Sequence, residues 1–186
     1  MNARAEALRE EQVRLGLWMF LATVTMLFAA FTSAYIVRRA GSDWHAVALP
    51  SILWWNTAAL AASSLAVEWA ERAGRQRRWT LALAATLAAL KLGFVFLAGQ
   101  VVAWREMTQA GVYLQSNPHS SFFFMMTGAH AAHIVAALAV LGWGAVRTWR
   151  AARDPQGWPA AFGLARTFWH FLGFVWVFLF ALVSLV

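Results

Sequence analysis

The chain has 186 residues, 61% hydrophobic and 12% charged, with a formal net charge of +7. That balance is too apolar for a soluble domain of this size, and the absence of cysteine excludes a disulfide framework or a thiolate metal site. Nucleic acid is not indicated as a partner, because the arginines stand in short segments between long apolar runs, where they set membrane orientation.

Taken in order, the apolar runs predict an all-α, integral membrane five-helix bundle in a single domain, 1–186. The spans are placed at about 15–37, 49–69, 79–103, 120–146 and 164–186, each near the roughly 20 residues that cross a bilayer. Residues 3–14 mix Glu6, Glu10 and Glu11 with Arg4, Arg9 and Arg14, which predicts a short surface helix ahead of the first span. A charged start before a full-length span is unlike a cleavable signal peptide. Within the first span, Thr23, Thr25, Thr32 and Ser33 can bond back to their own helix or across to a neighbour. Trp44 and His45, in the loop that ends at Pro50, are expected at the outer headgroup level.

The second and third spans repeat small residues four apart, Ala58 with Ala62 and Ala85 with Ala89, a spacing that lets helices approach closely. Between them ERAGRQRR reads as a compact cytoplasmic turn; it can attract anionic lipid, with a topology signal as the simpler role. Lys91 is the one fixed charge inside a span, about 18 Å along the helix from Trp79 and so near the midplane. It reads either as a proton or ion relay or as a lysine paired in the bundle or snorkelling. No Asp or Glu is expected at its depth to exchange protons with it.

The next loop, WREMTQAGVYLQSNPHS, is longer and can dock on a partner. The fourth span opens on Pro118 and Ser120-Ser121, a helix-start pattern, and no acid, lysine or arginine occurs from Met107 to Val146. Thr127, His130 and His133 lie inside it, the two histidines three apart and so on one face. Groups of this kind at such depth face protein or a cavity. RTWRAARDPQGWPAAFG is then a turn broken by two prolines, and the fifth span carries Trp169, His170 and Trp176.

One side of these spans holds Arg4, Arg9, Arg14, Arg72, Arg75, Arg77, Arg78, Arg147, Arg150, Arg153 and Arg166; the other holds Arg38, Arg39 and Arg105. The bias predicts a cytoplasmic N-terminus and a C-terminus outside. On that orientation His133 and His170 both lie roughly 10 Å from the cytoplasmic end of the core, so they can meet if their helices are neighbours. Two functions of different classes follow. One is a small membrane haem protein ligated by His133 and His170; the other is a structural, lipid-binding subunit of a membrane complex, with the histidines hydrogen-bonded in its core. The spans offer no carboxylate for a zinc or di-iron site, and no nucleophile–base pair or nucleotide motif is visible.

Several segments, in order, resemble subunit III of the haem–copper cytochrome c oxidases. GLWMFLATVTMLFAAFTSAYIV is similar to the first helix shared by that family, LWWNTAALAASS to its Asn-Thr…Ser-Ser helix and LGFVFLAGQVVAW to its Gly…Phe…Gln helix. SSFFFMMTGAHAAHIV resembles its Phe-Phe…Thr-Gly-x-His-x-x-His motif and FWHFLGFVW its Trp-His-Phe motif; these two are the specific ones. The resemblance implies a non-redox subunit of a proton-translocating oxidase in a bacterial cytoplasmic (inner) membrane. Haems and copper would lie in partner subunits, with none in this chain and no catalytic residue here. The implied partners are subunit I, subunit II and phospholipids, and the implied roles are stabilising subunit I, binding lipid and supporting proton uptake.

Carried over residue by residue, Asn56, Gln100, Thr127, His130, His133, Trp169 and His170 are the polar and motif residues of the core, and Arg147 stands where the family holds an arginine near lipid headgroups. Longer relatives have two more helices at the start, so extra C-terminal helices of subunit I are an implied neighbour. Val24, Ala103 and Gly173 stand where the family has carboxylates, so no proton role transfers to those positions. Quinol oxidase subunit III and a subunit III-like protein of nitric oxide reductase systems share the pattern and stay open as alternatives.

Overall fold

The computed structural model describes residues 3–45, 47–153 and 160–185, which form five α-helices and, among the described residues, no strand. These are α1 (Ala3–Arg38), α2 (Ile52–Arg75), α3 (Trp79–Gln109), α4 (Pro118–Arg153) and α5 (Ala160–Leu185). Residues 3–14 are helical, as expected of the segment leading into the first span, and are one helix with that span. Ala, Glu, Arg and Leu there are strong helix formers without a proline among them, so α1 runs unbroken into the span. The fourth turn likewise begins later than expected, because α4 continues to Arg153; the rest of that turn, 154–159, lies outside the described residues.

Among the described residues, four helices are long and apolar enough to cross a membrane: Glu11–Arg38, Trp79–Gln109, Pro118–Ala151 and Phe162–Leu185. The span expected at 49–69 is not one of them. Its helix, α2, has the length, 24 residues, but Asn56, Thr57, Ser63, Ser64 and Glu68 lower its hydropathy. Of these, Ser63 hydrogen-bonds to α3, and Thr57 and Glu68 to α5.

The helix ends are closed by local chemistry. Arg77 N–H donates to Gly74 O (3.0 Å) and Arg78 N–H to Ala73 O (2.9 Å), a Schellman closure with Arg77 at φ 59°. The same closure ends α3, with Gly111 (φ 77°) in the left-handed position and Val112 N–H bonded to Met107 O. Pro118 occupies the first turn of α4, where its missing N–H is not needed, and Asn117 caps it: Ser120 N–H donates to Asn117 Oδ1 (3.1 Å). In the α1–α2 loop the hydrogen bond from Arg38 holds the exposed Asp43 carboxyl below the usual carboxylate range. Trp44 is turned inward onto Tyr35 and His119 (ring centroids 4.9 and 5.3 Å), while His45 is exposed.

Helices α2 to α5 form a ring in which each packs on the next and α2 also meets α5; α1 lies outside, chiefly against α4 and α5. The α2–α3 pair is the closest. Ala66, Ala70, Ala85 and Ala89 are buried in it, and Ser63 Oγ donates across to Ala89 O at 2.9 Å. Ala58 and Ala62, expected to serve this contact, face outward. Gly93 marks another close approach: a Cβ there would stand 2.6 Å from Leu138 on α4 and 2.7 Å from Trp169 on α5. The centre is filled by Trp169, Trp176, Phe96, Phe123 and Met126, all essentially inaccessible. Large apolar side chains, among them Trp54, Trp55, Phe94, Val135 and Phe174, cover the outside.

Candidate functional site

Most of the polar groups expected inside the spans do lie in the ring, where each faces a different neighbour. Trp176, on α5, donates from Nε1 to Thr57 Oγ1 of α2 (3.0 Å), while Thr57 returns its own proton to Leu53 O (2.8 Å). Trp104 of α3 donates to Thr127 Oγ1 of α4 (3.0 Å), and Thr127 donates to Phe123 O (2.7 Å). These two relays tie α2 to α5 and α3 to α4 without leaving a hydroxyl unpaired. Both threonines spend their donor within their own helix and offer a lone pair to the neighbour.

His130 and His133 share a face of α4, as their spacing requires, yet their surroundings differ. His130 is fully buried among Phe28 of α1, Phe96 of α3 and Trp176 of α5, with neither ring nitrogen hydrogen-bonded. His133 is half-buried; its Nδ1 lies 2.7 Å from Ala129 O of its own helix, and its ring packs on Phe20 and Phe28 of α1. Asn56 and Gln100 are buried, the first against Gly99, where an added Cβ would overlap its amide oxygen. Trp169 is buried against Gly93.

His170 departs from expectation. It does not face His133, although α4 and α5 are neighbours. Its Nε2 lies 2.9 Å from Glu68 Oε1 of α2, and Arg166, one turn earlier on α5, reaches the same oxygen at 3.3 Å. The pair of facing rings that a bis-histidine haem requires is therefore not formed: one histidine turns to α1, the other to a carboxylate on α2. The expectation that the spans hold no carboxylate is overturned by Glu68, which stands within the expected 49–69 span and meets His170. Thr57, Ala61, Ser64 and Glu68 follow the i, i+4, i+7, i+11 spacing of one helix face. That spacing was the signal for a polar stripe ending in an acid. Thr57, Ala61 and Ser64 of this stripe, with His170, Gly173 and Trp176, line a cleft of about 230 Å³.

A second, larger groove of about 530 Å³ lies between α1 and α5, lined by Phe28, Thr32, Ile36, Phe171, Phe174 and Phe178. Arg147 is exposed near the C-terminal end of α4, its guanidinium 5.4 Å from the Trp143 ring centroid. Lys91 is exposed on the outside of α3 and forms no ion pair among the described residues. Val24 and Ala103 are buried where the resemblance would place carboxylates, and Gly173 lies beside Ser64 Oγ. Among the described residues no group of three His, Asp or Glu is placed to hold a metal ion.

The geometry describes a polytopic bundle whose interior polar groups join helices, with a half-exposed Glu68–His170–Arg166 cluster toward the end that carries the α2–α3 turn. Residues 3–185 match the family described as cytochrome c oxidase subunit III. Cytochrome c oxidase subunit 3 of Thermostichus vulcanus is 29% identical over 92% of this chain and 86% of its own length. A probable cytochrome c oxidase subunit 3 of Nocardia farcinica is 28% identical, covering 96% and 90%. A probable quinol oxidase subunit 3 of Staphylococcus aureus is also 28% identical, covering 93% and 88%.

Proposed function

The chain belongs to the cytochrome c oxidase subunit III family, and from that premise we propose that it is the non-redox third subunit of a bacterial cytochrome c oxidase. It is a multi-pass membrane protein, part of a respiratory oxidase complex. In our reading it lies against subunit I in the inner membrane, near subunit II, with its N-terminus in the cytoplasm. There it holds the complex together and supports proton uptake during oxygen reduction. The haems and copper belong to the partner subunits. The observation that carries this reading is the family match along the whole described chain. The interior polar groups support it by linking helices in pairs: Trp176 to Thr57, Trp104 to Thr127, His170 to Glu68.

Copurification from mild detergent, followed by oxygen uptake with reduced cytochrome c and with a quinol, tests the reading. Recovery with an oxidase that oxidises only quinol would transfer the chain to the second reading, which the Staphylococcus relatives favour.

The Glu68–His170–Arg166 cluster is the fastening most open to a mild probe. His170→Ala removes a contact between side chains that are each about one third exposed, 36% and 31%, so solvent screens it and the stability loss is about 0.5–1 kcal/mol. The expected functional result is a shorter catalytic lifetime of the oxidase with an initial rate close to the parent. A continuous oxygen-consumption trace separates the two; a several-fold slower first phase would instead put His170 on the proton path.

Lipid binding follows from two features. The α1–α5 groove is apolar and open to the membrane, which suits an acyl chain. Arg147, exposed beside Trp143, can hold a phosphate by charge-assisted hydrogen bonds. Arg147→Ala is expected to lower phospholipid retained by the purified complex while leaving helix content intact, read by native mass spectrometry and circular dichroism. Identical bound lipid in variant and parent would remove the headgroup role.

A further inference from the structure

We propose that the outer face of α3 around Lys91 is the seat of a membrane helix from a partner subunit, and that this helix presents an aspartate or glutamate to the Lys91 ammonium. The inference rests on the reading of the chain as an oxidase subunit.

Depth is the first observation. Lys91 stands 12 residues from Trp79 and 14 from Arg105, the nearest interface markers on α3, or about 18 and 21 Å along the axis. Half of a hydrocarbon core is about 15 Å, and a lysine stem reaches roughly 6 Å, so the ammonium cannot snorkel to either surface. Direction is the second. Lys91 points out of the bundle, on a face with Ala84, Leu87, Ala88, Phe94, Val95 and Ala98, all exposed and none able to accept a proton or an ion pair. An isolated charge in lipid at the midplane is costly, and intramembrane charges pair with one another.

The remaining question is what can supply the counter-charge. Of the eight acids in this chain, Glu68 is engaged by His170 and Arg166 toward the far end of α2 and Glu71 by Arg75. Glu6, Glu10 and Glu11 precede the apolar run of α1, Asp43 and Glu106 lie near helix ends, and Asp154 falls in the arginine-rich segment after α4, outside the described residues. A second copy of the chain would bring another Lys91 and no acid at the same depth. A different polypeptide must therefore provide the carboxylate. Ala84 and Ala88, one turn apart beside Lys91, let the backbone of such a helix approach closely.

The test uses the whole complex in its native membrane. With benzoylphenylalanine replacing Ala88 and Lys91 retained, irradiation is expected to give an adduct to one partner polypeptide. The modified peptide should lie within a turn of an Asp or Glu. Lys91→Glu should lower recovery of this chain in the complex by about tenfold or more, since breaking a buried pair leaves a like charge behind. Lys91→Arg should recover near the parent. Lys91→Met, which removes the charge without a new repulsion, should fall between. Adducts confined to lipid or to a second copy, or parental recovery of both Lys91→Glu and Lys91→Met, would overturn the proposal. If the adduct forms on an acid-bearing helix of a complex that is not an oxidase, the docking face stands and the oxidase reading fails.

Discussion

Replacing Trp176 with alanine is expected to destabilise the isolated bundle by about 3–5 kcal/mol, the range for removing a large buried aromatic side chain. Trp176 is 1% exposed and touches three other helices. It donates to Thr57 of α2, meets Phe96 of α3 edge-on at 4.8 Å, faces His130 of α4 at 5.3 Å and lies parallel to Phe180 of its own helix at 6.2 Å. Alanine would leave a void at the junction and strand the lone pair of Thr57. Trp176→Phe keeps most of the ring and loses the hydrogen bond alone, so it should cost only about 1 kcal/mol. Equilibrium unfolding in detergent measures both. Equal losses for the two variants would mean that the hydrogen bond, rather than the packing, holds the junction.

The second large effect is expected at Gly93, through crowding instead of loss. An added methyl would press on Leu138 and on the ring of Trp169 at once, and both are buried. Gly93→Ala should therefore destabilise by about 1–3 kcal/mol, the usual cost of overpacking. Trp169 belongs to the motif that first suggested the family, which gives that residue a packing role legible in the geometry. Gly93→Ala combined with Leu138→Ala should cost less than the sum of the two single variants, since one of the two obstructions is gone. Strict additivity would show that Trp169 is the sole obstacle.

Helix number and approximate limits were legible because charge and turn residues punctuate this chain sharply. Pro118 and Asn117 announce the start of α4, and the arginines around Gln76 announce the α2–α3 turn. Rotation about each helix axis was not legible. In a helix apolar all round there is little contrast to say which side faces inward. So Ala58 and Ala62 offered the same spacing as Ala66 and Ala70, and only the second pair is buried. The sequence places His170 at the depth of His133, but depth does not choose between α4 and α2 as its neighbour. Glu68 escaped notice because it follows Val67 at the end of an uncharged run and looked like the end of the span, where it is one side of an inter-helix contact.

The position of α1 outside the ring bears on how the protein is made. Its chief neighbours, α4 and α5, are synthesised after α2 and α3. At about 5–20 residues per second, α1 waits for roughly ten to thirty seconds in the bilayer before its docking surface is complete. A helix that must wait alone has to be content in lipid. α1 meets that demand: no charge lies between Leu15 and Val37, and Thr23, Thr25 and Thr32 each donate to the carbonyl four residues back in the same helix. The hydroxyls that could have been fastenings to a neighbour instead make the first span self-sufficient, so the nascent chain can hold it in the membrane until the rest of the bundle arrives.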